Sequence, residues 1–473
     1  MKQGFNLING KWFSTSDYME VTNPATEEVF AHVPLSGEAE AAEAADAAYK
    51  AFLKWSKETA ETRSNVLYRW HQLITEHRKE IAEIMTMEQG KPFDEALGEV
   101  DYANQYVKFY AEEATRIKGE IIPASSKNKR ILVQKEAVGV VAAITPWNFP
   151  AAMITRKLAP ALAAGNTVLL KPSQETPLTA IRLVELAEQA GVPAGGINIL
   201  TGSSREITGV WQADSRVRKI TFTGSTPVGK QIMKDAADTM KKISLELGGH
   251  APFIVTEHAD IDKAVQGAMS SKFRNGGQAC VAANRFYVHE RVAEEFTNRF
   301  VEEVKKLRTG NGMEKSTTLG PLINQKAVEK VEEHIADATA KGAVVLTGGA
   351  SKSSAGFFHE ATVLGNVTDD MLCMYDETFG PLAPITTFKT IDEVISRANH
   401  TPYGLAAYVF TENIAEIMEL SGSLEYGIVG VNDGAPSTAQ APFGGYKESG
   451  LGREGGDHGI HDYLEVKYVS LGF

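Results

Sequence analysis

Apolar and polar positions change their rhythm along this chain, and the change marks its parts. Residues 38–60 and 62–90 are rich in alanine and charged residues at helical spacing. Leu67, Trp70, Leu73 and Ile74 follow the pattern of a helix with one buried face. Trp70 is read as packing and His71 as surface. From about residue 136 short apolar runs take over: VGVVAAI (138–144), TVLLKPS (167–173), INILTG (197–202), KITFTGS (219–225) and ISLELGG (243–249). Helix-like stretches such as ITRKLAPALAAG and PLTAIRLVELAEQAG lie between them. Strands that read as unbroken apolar runs between helices belong to a parallel sheet covered on both faces.

A second α/β region follows Gly249. APFIV, RFYVH, AVVLTG, AAYVF and GIVGVN read as strands, and DIDKAVQGAMSSKF, ERVAEEFTNRFVEEVKKLRTG and QKAVEKVEEHIADATAKG as helices. Gly248 and Gly249 permit the change of direction between the regions. Two segments fit neither: roughly 114–135, and the tail HDYLEVKYVSLGF. Both alternate apolar and polar residues, as an exposed hairpin and an edge strand do, and such an edge pairs with another subunit.

At 473 residues the chain exceeds one compact core, so two or three domains are expected. A composition 43% hydrophobic and 23% charged excludes wholesale disorder. The formal net charge of -12 argues against nucleic-acid binding, which needs clustered cations. No run approaches the roughly 18 apolar residues of a membrane span. The opening MKQGFNLINGKWFSTSD lacks the apolar core of a secretory signal, so a cytoplasmic location is expected. The two cysteines, Cys280 and Cys373, cannot make a disulfide framework. In a reducing compartment each is either a packing residue or a reactive thiol.

Six places are weighed as candidate chemistry. Cys280 follows the irregular Asn-Gly-Gly-Gln stretch of SKFRNGGQACVAANRF, where a loop can present a thiol to a cleft. Cys373, between apolar residues in DDMLCMYDET, reads as a small buried hydrophobe. Glu246 interrupts an apolar strand before two glycines; it is either a desolvated general base or a solvent-facing strand end. Asn148, between Pro146 and Pro150, is either an oxyanion donor or an Asx turn. Gly224 and Ser225 pass from a strand to a helix N-terminus, which suits pyrophosphate, although the GxGxxG fingerprint is absent. Lys171 ends a strand at the edge where doubly wound sheets bind ligands.

Together TPWNFP (145–150), KPSQETP (171–177), FTGSTPVG (222–229), LELGGHAP (245–252), FRNGGQAC (273–280), ETFGPL (377–382) and PFGGYKESGLGREGG (442–456) resemble the aldehyde dehydrogenase superfamily, in family order and from NGKWF to the tail. The resemblance implies a Rossmann-type cofactor domain (1–113 with 136–247), an α/β catalytic domain (248–445) and a small β oligomerisation hairpin (114–135 with 446–473). It makes Cys280 the nucleophile, Glu246 the base that activates water, and Asn148 the oxyanion donor. Acylating relatives typically lack such a glutamate, so hydrolysis of the thioester is expected. Trp147, Lys171, Gln174, Gly224, Ser225, Glu377 and Phe379 are the implied cofactor contacts, with Lys157 and Glu454 in a supporting polar network. No metal site is expected. The implied partners are a small aldehyde and a second copy of the chain, in a homodimer or homotetramer.

SKFRNGGQACVAANRF and PAAMITRK are similar to the succinate semialdehyde dehydrogenase branch. That likeness implies that Arg156, Arg274 and Ser437 hold the far carboxylate of the substrate, a task suited to the planar arginine fork. Another short aldehyde, such as glutarate semialdehyde, is the alternative substrate; a non-catalytic binding protein is the alternative class. Two departures stand out. Ala282 occupies the position where many members of the branch carry a second cysteine, so no redox disulfide forms there. Gln174 stands where many NAD-preferring relatives have Glu, which removes most of the repulsion toward a 2′-phosphate, although Glu175 is adjacent. The cofactor is therefore NADP or NAD, with NADP tolerated.

Overall fold

The computed structural model of the chain describes residues 2–351 and 355–473. Two large sheets carry the molecule. The first has eight strands, in the order Gly450–Leu451, Lys242–Glu246, Val217–Thr223, Val140–Ile144, Thr167–Lys171, Ile197–Ile199, Asn6–Ile8 and Lys11–Phe13. Its five central strands are parallel, and antiparallel strands close both edges. Alternation along each strand divides the core in two. Val140, Ala142 and Leu169 pack with Ala41, Ala44 and Trp211. Val141, Ala143, Val168 and Leu170 pack with Leu67, Trp70, Leu158 and Leu183. Successive side chains of a strand point to opposite faces, so a fully apolar run feeds both cores.

The second sheet has seven strands, in the order Val344–Thr347, Thr362–Gly365, Leu382–Phe388, Ala283–His289, Ala251–Val255, Ala406–Phe410 and Ile428–Val431. All its pairs are parallel except the first. Phe253 and Phe286 face an aromatic cluster with Phe296, Phe300 and Phe410, while Ile254 and Tyr287 face the opposite core. Among the described residues no helix is long and apolar enough to cross a membrane.

The leftover segments form a third, antiparallel sheet of Glu120–Ile122, Lys129–Ala137 and Leu464–Gly472, paired in register from Leu464↔Ala137 to Gly472↔Lys129. Ile121, Val466, Tyr468 and Phe473 are exposed on it. The structure corrects the boundaries drawn from sequence. Residues 446–473 are not one segment: Gly450–Leu451 pairs with the strand ending at Glu246, and Ile460, Tyr463 and Leu464 pack into the first core. Lys129–Ala137 also runs through the boundary set at residue 136.

The N-terminus holds strands that the sequence pattern did not suggest. Asn6–Ile8 and Lys11–Phe13 form a hairpin whose turn, Asn9-Gly10, has positive φ at both positions (51° and 73°), as a type I′ turn requires. Lys2–Gln3, Tyr18–Thr22 and Val29–Pro34 make a small separate sheet. Lys2–Gln3, Asn6–Ile8 and Lys11–Phe13 are too short for their alternation to stand out against the following helices.

A buried carboxylate secures one helix of the first domain. Glu88 accepts the backbone N–H groups of Leu178 (2.7 Å) and Thr179 (2.8 Å), at the start of the helix Pro177–Gln189. The N-cap residue, Thr176, makes no side-chain cap bond, so Glu88 meets donors the helix cannot satisfy itself.

Candidate active site

The carboxyl ends of strands in the first sheet meet the amino ends of strands in the second. Glu246 ends Lys242–Glu246, Gly224 and Ser225 follow Val217–Thr223, and Asn148 follows Val140–Ile144. From the other side, Cys280 precedes Ala283–His289, and Glu377 and Phe379 precede Leu382–Phe388. Between them lies a cavity of about 240 Å³ lined by Pro146, Trp147, Asn148, Thr223, Gly224, Ser225, Leu247, Gly248, Cys280, Glu377 and Phe379. Seven of the residues singled out from sequence thus share one space. The Trp147 and Phe379 rings meet edge to face, 5.6 Å apart. Ser225 begins the helix Thr226–Ala236 without capping it through its side chain.

The loop that leads to Cys280 has a shape that ordinary residues resist. Asn275, Gly276 and Gly277 have φ of 52°, 62° and 74° in succession. The loop is wedged between two glycines of other segments. A Cβ on Gly249 would lie 2.2 Å from the Cys280 carbonyl oxygen, and a Cβ on Gly277 would lie 2.2 Å from that of Gly380. Cys280 is partly accessible, whereas Cys373 is wholly buried in the short turn Leu372–Met374 and serves packing.

Asn148 is buried. Its Nδ2 donates to the Gln278 carbonyl (3.1 Å), which leaves a second N–H for another acceptor. Glu246 is buried too, and its Oε2 has no hydrogen-bond partner among the described residues. Behind it, Glu454 forms ion pairs with Arg156 and Lys157, all three buried. Burial pushes the Cys280 thiol up to about 12, opposed by the Arg156 charge. Burial, then the Glu454 charge, raises Glu246 well above the usual carboxylate range. Burial works against the charge of Glu454 as well, but Arg156 and Lys157 hold its carboxyl below the ordinary value. One carboxylate is therefore kept charged as a counter-ion while its neighbour is kept ready to hold a proton. Glu377, which accepts the Gly249 N–H (3.0 Å), is pushed by burial up to about 7.

The other residues singled out from sequence lie apart from this cavity. Lys171 is buried, donates to the Pro172 carbonyl (2.8 Å), and is drawn down to about 8 by desolvation. Gln174 donates to the Gly202 carbonyl (2.9 Å). The adjacent Glu175 accepts from Asn324 (3.4 Å). Arg156 departs from the expected picture of a fork held open for substrate. Its guanidinium pairs with Glu454 and lies over the Phe443 ring, 4.3 Å from the centroid. Helix position explains this: Arg156 and Lys157 are consecutive on Ala152–Ala164, and one buried carboxylate compensates both.

Arg274 is different. It is half-buried over the Phe149 ring (5.3 Å), with no ion pair or hydrogen bond among the described residues. It lines a second, larger groove of about 950 Å³, together with Glu95, Ser270, Phe273 and Ala435. Ser437 is half-buried two residues beyond Ala435, in the same loop. Sequence reasoning missed three residues that hold the site from behind: Lys91, Glu95 and Glu99. The signal was present in GKPFDEALGEV, where acids four apart follow a lysine at a helix start.

The profile of the aldehyde dehydrogenase family matches residues 12–469, and the chain belongs to that family. It is 53% identical to the mitochondrial succinate-semialdehyde dehydrogenase of Oryza sativa subsp. japonica over 468 residues, 98% of this chain and 89% of that protein. It is 51% identical to the 3-sulfolactaldehyde dehydrogenase of Pseudomonas putida over 468 residues, 98% of this chain and 96% of that protein. Among solved structures, an NADP dependent enzyme of E. coli superposes with a TM-score of 0.99 at 49% identity, covering 100% of this chain and 98% of that one.

The Gly249 contact makes a prediction. Gly249→Ala should displace the Cys280 main chain and lower aldehyde oxidation by about tenfold or more, because misplacing a nucleophile by an ångström is that costly. Steady-state rates per folded protein, with circular dichroism as a folding control, check it. An unchanged rate contradicts the wedge.

Proposed function

We propose that the protein oxidises an aldehyde with an anionic far end, succinate semialdehyde foremost, to the corresponding acid, with NADP or NAD as hydride acceptor. The observation that carries this reading is Arg274. A half-buried guanidinium over an aromatic ring, with no carboxylate paired to it, suits an anion supplied by substrate. The relatives' names agree on the class: one acts on a carboxylate-ended aldehyde and another on a sulfonate-ended one.

The lining of the cavity suits the pyrophosphate and nicotinamide end of a dinucleotide. The uncapped N-terminus of Thr226–Ala236 opens on it beside Gly224 and Ser225, as a pyrophosphate requires, and Glu377 with Phe379 offers a ribose contact. Bound there, a nicotinamide ring supplies the hydride acceptor. Neutral Gln174, with Glu175 engaged by Asn324, leaves room for a 2′-phosphate.

The residues divide the remaining work. The Cys280 thiol, partly accessible, passes its proton to solvent, and its sulfur bonds to the aldehyde carbon. The carbonyl electron pair moves to oxygen, and that oxyanion accepts hydrogen bonds from Asn148 Nδ2 and the Cys280 N–H. After hydride loss the carbon is a thioester. Glu246 then takes a proton from water, whose oxygen bonds to the carbon as the C–S bond breaks and the thiolate leaves.

Succinate semialdehyde should exceed butanal by at least about tenfold in kcat/KM, since a charge-assisted hydrogen bond contributes about 1.5–3 kcal/mol. Arg274→Ala should erase most of that gap, and equal use of the two aldehydes by the native protein contradicts the assignment. The exposed apolar face of the third sheet pairs with a second copy in a homodimer or homotetramer. Ile121→Asp together with Val466→Asp should therefore lower the molar mass measured by light scattering; a monomeric native protein rules the pairing out.

A further inference from the structure

Three charged residues near the start of the helix Phe93–Glu113 touch none of the reacting groups yet grip both loops that carry them. Glu99 is buried, and one of its oxygens accepts the backbone N–H groups of Ala151 (2.9 Å) and Ala152 (3.3 Å). These open the helix Ala152–Ala164, whose N-cap makes no side-chain bond. The other Glu99 oxygen forms an ion pair with Lys91. Lys91 Nζ also donates to the Asn148 carbonyl (2.9 Å) and lies 4.1 Å from the centroid of the Phe149 ring. The pair thus fixes the main chain at Asn148 and again at 151–152. One turn earlier, Glu95 accepts the Asn275 N–H (2.8 Å) in the nucleophile loop. Asn275 Nδ2 in turn donates to the Asn148 carbonyl (2.8 Å), which joins the two loops.

The anchor itself has little freedom. A Cβ on Gly312 would lie 2.5 Å from the Lys91 carbonyl oxygen, and a Cβ on Gly320 would lie 2.2 Å from that of Gly90. Lys91, Glu99 and Asn148 are 2%, 4% and 3% exposed, so water does not compete for these bonds.

We propose that Lys91 and Glu99 are positioning residues for the acylation step, holding Asn148 where its amide meets the oxyanion. This rests on the reading of Asn148 as oxyanion donor. Oxyanion stabilisation needs a donor fixed before charge develops, because reorganisation during the reaction would spend the gain. Asn148 sits in a loop between two prolines, where nothing in its own segment sets the side-chain direction. Its Nδ2 is directed by the Gln278 carbonyl, and the buried pair fixes the main chain from which that side chain extends.

The test uses Lys91→Met combined with Glu99→Gln, which removes both charges and leaves neither buried alone. Lys91→Gln combined with Glu99→Gln, which also strands neither charge, is the second variant should the first fold poorly. The readout is the first-turnover rate of NADPH formation from NADP and succinate semialdehyde, per titrated Cys280 thiol. That rate should fall by about tenfold or more, while KM and the NADPH dissociation constant move by less than about threefold. In an Asn148→Ala background, where the Asn148 carbonyl persists but its amide is gone, the same changes should cost less than about twofold further. A native rate per thiol, whatever the melting temperature, overturns the proposal, since a merely structural pair would behave so. A full additional loss in the Asn148→Ala background also overturns it. A native rate in Asn148→Ala alone overturns the oxyanion reading and the inference with it. A slow Asn148→Ala beside a fast pair variant overturns the inference only.

Discussion

The charged side chains behind the seam between the two large sheets are buried, so each must be held by another charge or by main-chain dipoles. Glu454 is the centre of this arrangement. It compensates Arg156 and Lys157 together, and it stands close enough to Glu246 to oppose ionisation there. Removing one member of a buried ion pair typically costs about 3–5 kcal/mol, because the remaining charge is stranded. Such a network fixes the relative placement of Ala152–Ala164 and the C-terminal segment that carries Glu454. It also gives two neighbouring carboxyls opposite protonation preferences without any metal.

Close main-chain approach is the second constraint, and glycine makes it possible. Gly249 lets the Cys280 carbonyl pass within van der Waals distance of the turn that joins the sheets. Gly450 does the same where the C-terminal segment lies on the strand ending at Glu246: its φ is 137°, and a Cβ would meet the Leu245 carbonyl oxygen at 1.9 Å. Cys280 and Glu246 are thereby placed by close main-chain contacts, which suits the precision that the proposed covalent catalysis needs.

The two-sheet architecture was legible because strands covered on both faces are apolar throughout, and runs such as TVLLK and APFIV cannot serve a solvent-facing structure. The hairpin at Asn9-Gly10 carried a turn signature, but strands of three residues give alternation too little length to register. Near residues 136 and 446 the chain passes from one sheet to another within a few residues, and composition shows no edge there. In the site, Cys280, Glu246 and Asn148 stood out as residue types in unusual settings; the structure places them at the seam between the sheets, and the roles proposed for them come from the family motifs. Arg156 was harder, since a substrate clamp and a counter-ion are the same residue in sequence; only the nearby Glu454 distinguishes them. Lys91, Glu95 and Glu99 escaped notice because charges at a helix start are ordinarily solvated; here Lys91 and Glu99 are buried and Glu95 half-buried, through packing against loops distant in the chain.

The central claim is that a thioester forms on Cys280 and that Glu246 directs water to it. Its most direct test is to mix the Glu246→Gln protein with NADP and succinate semialdehyde, quench in acid within the first turnovers, and locate the adduct by peptide mass spectrometry. The account predicts a succinyl group on the peptide containing Cys280, accumulating because deacylation is slowed by orders of magnitude while reduced cofactor appears in a burst. An unmodified Cys280 during continuing turnover, or acylation at Cys373 instead, would contradict it.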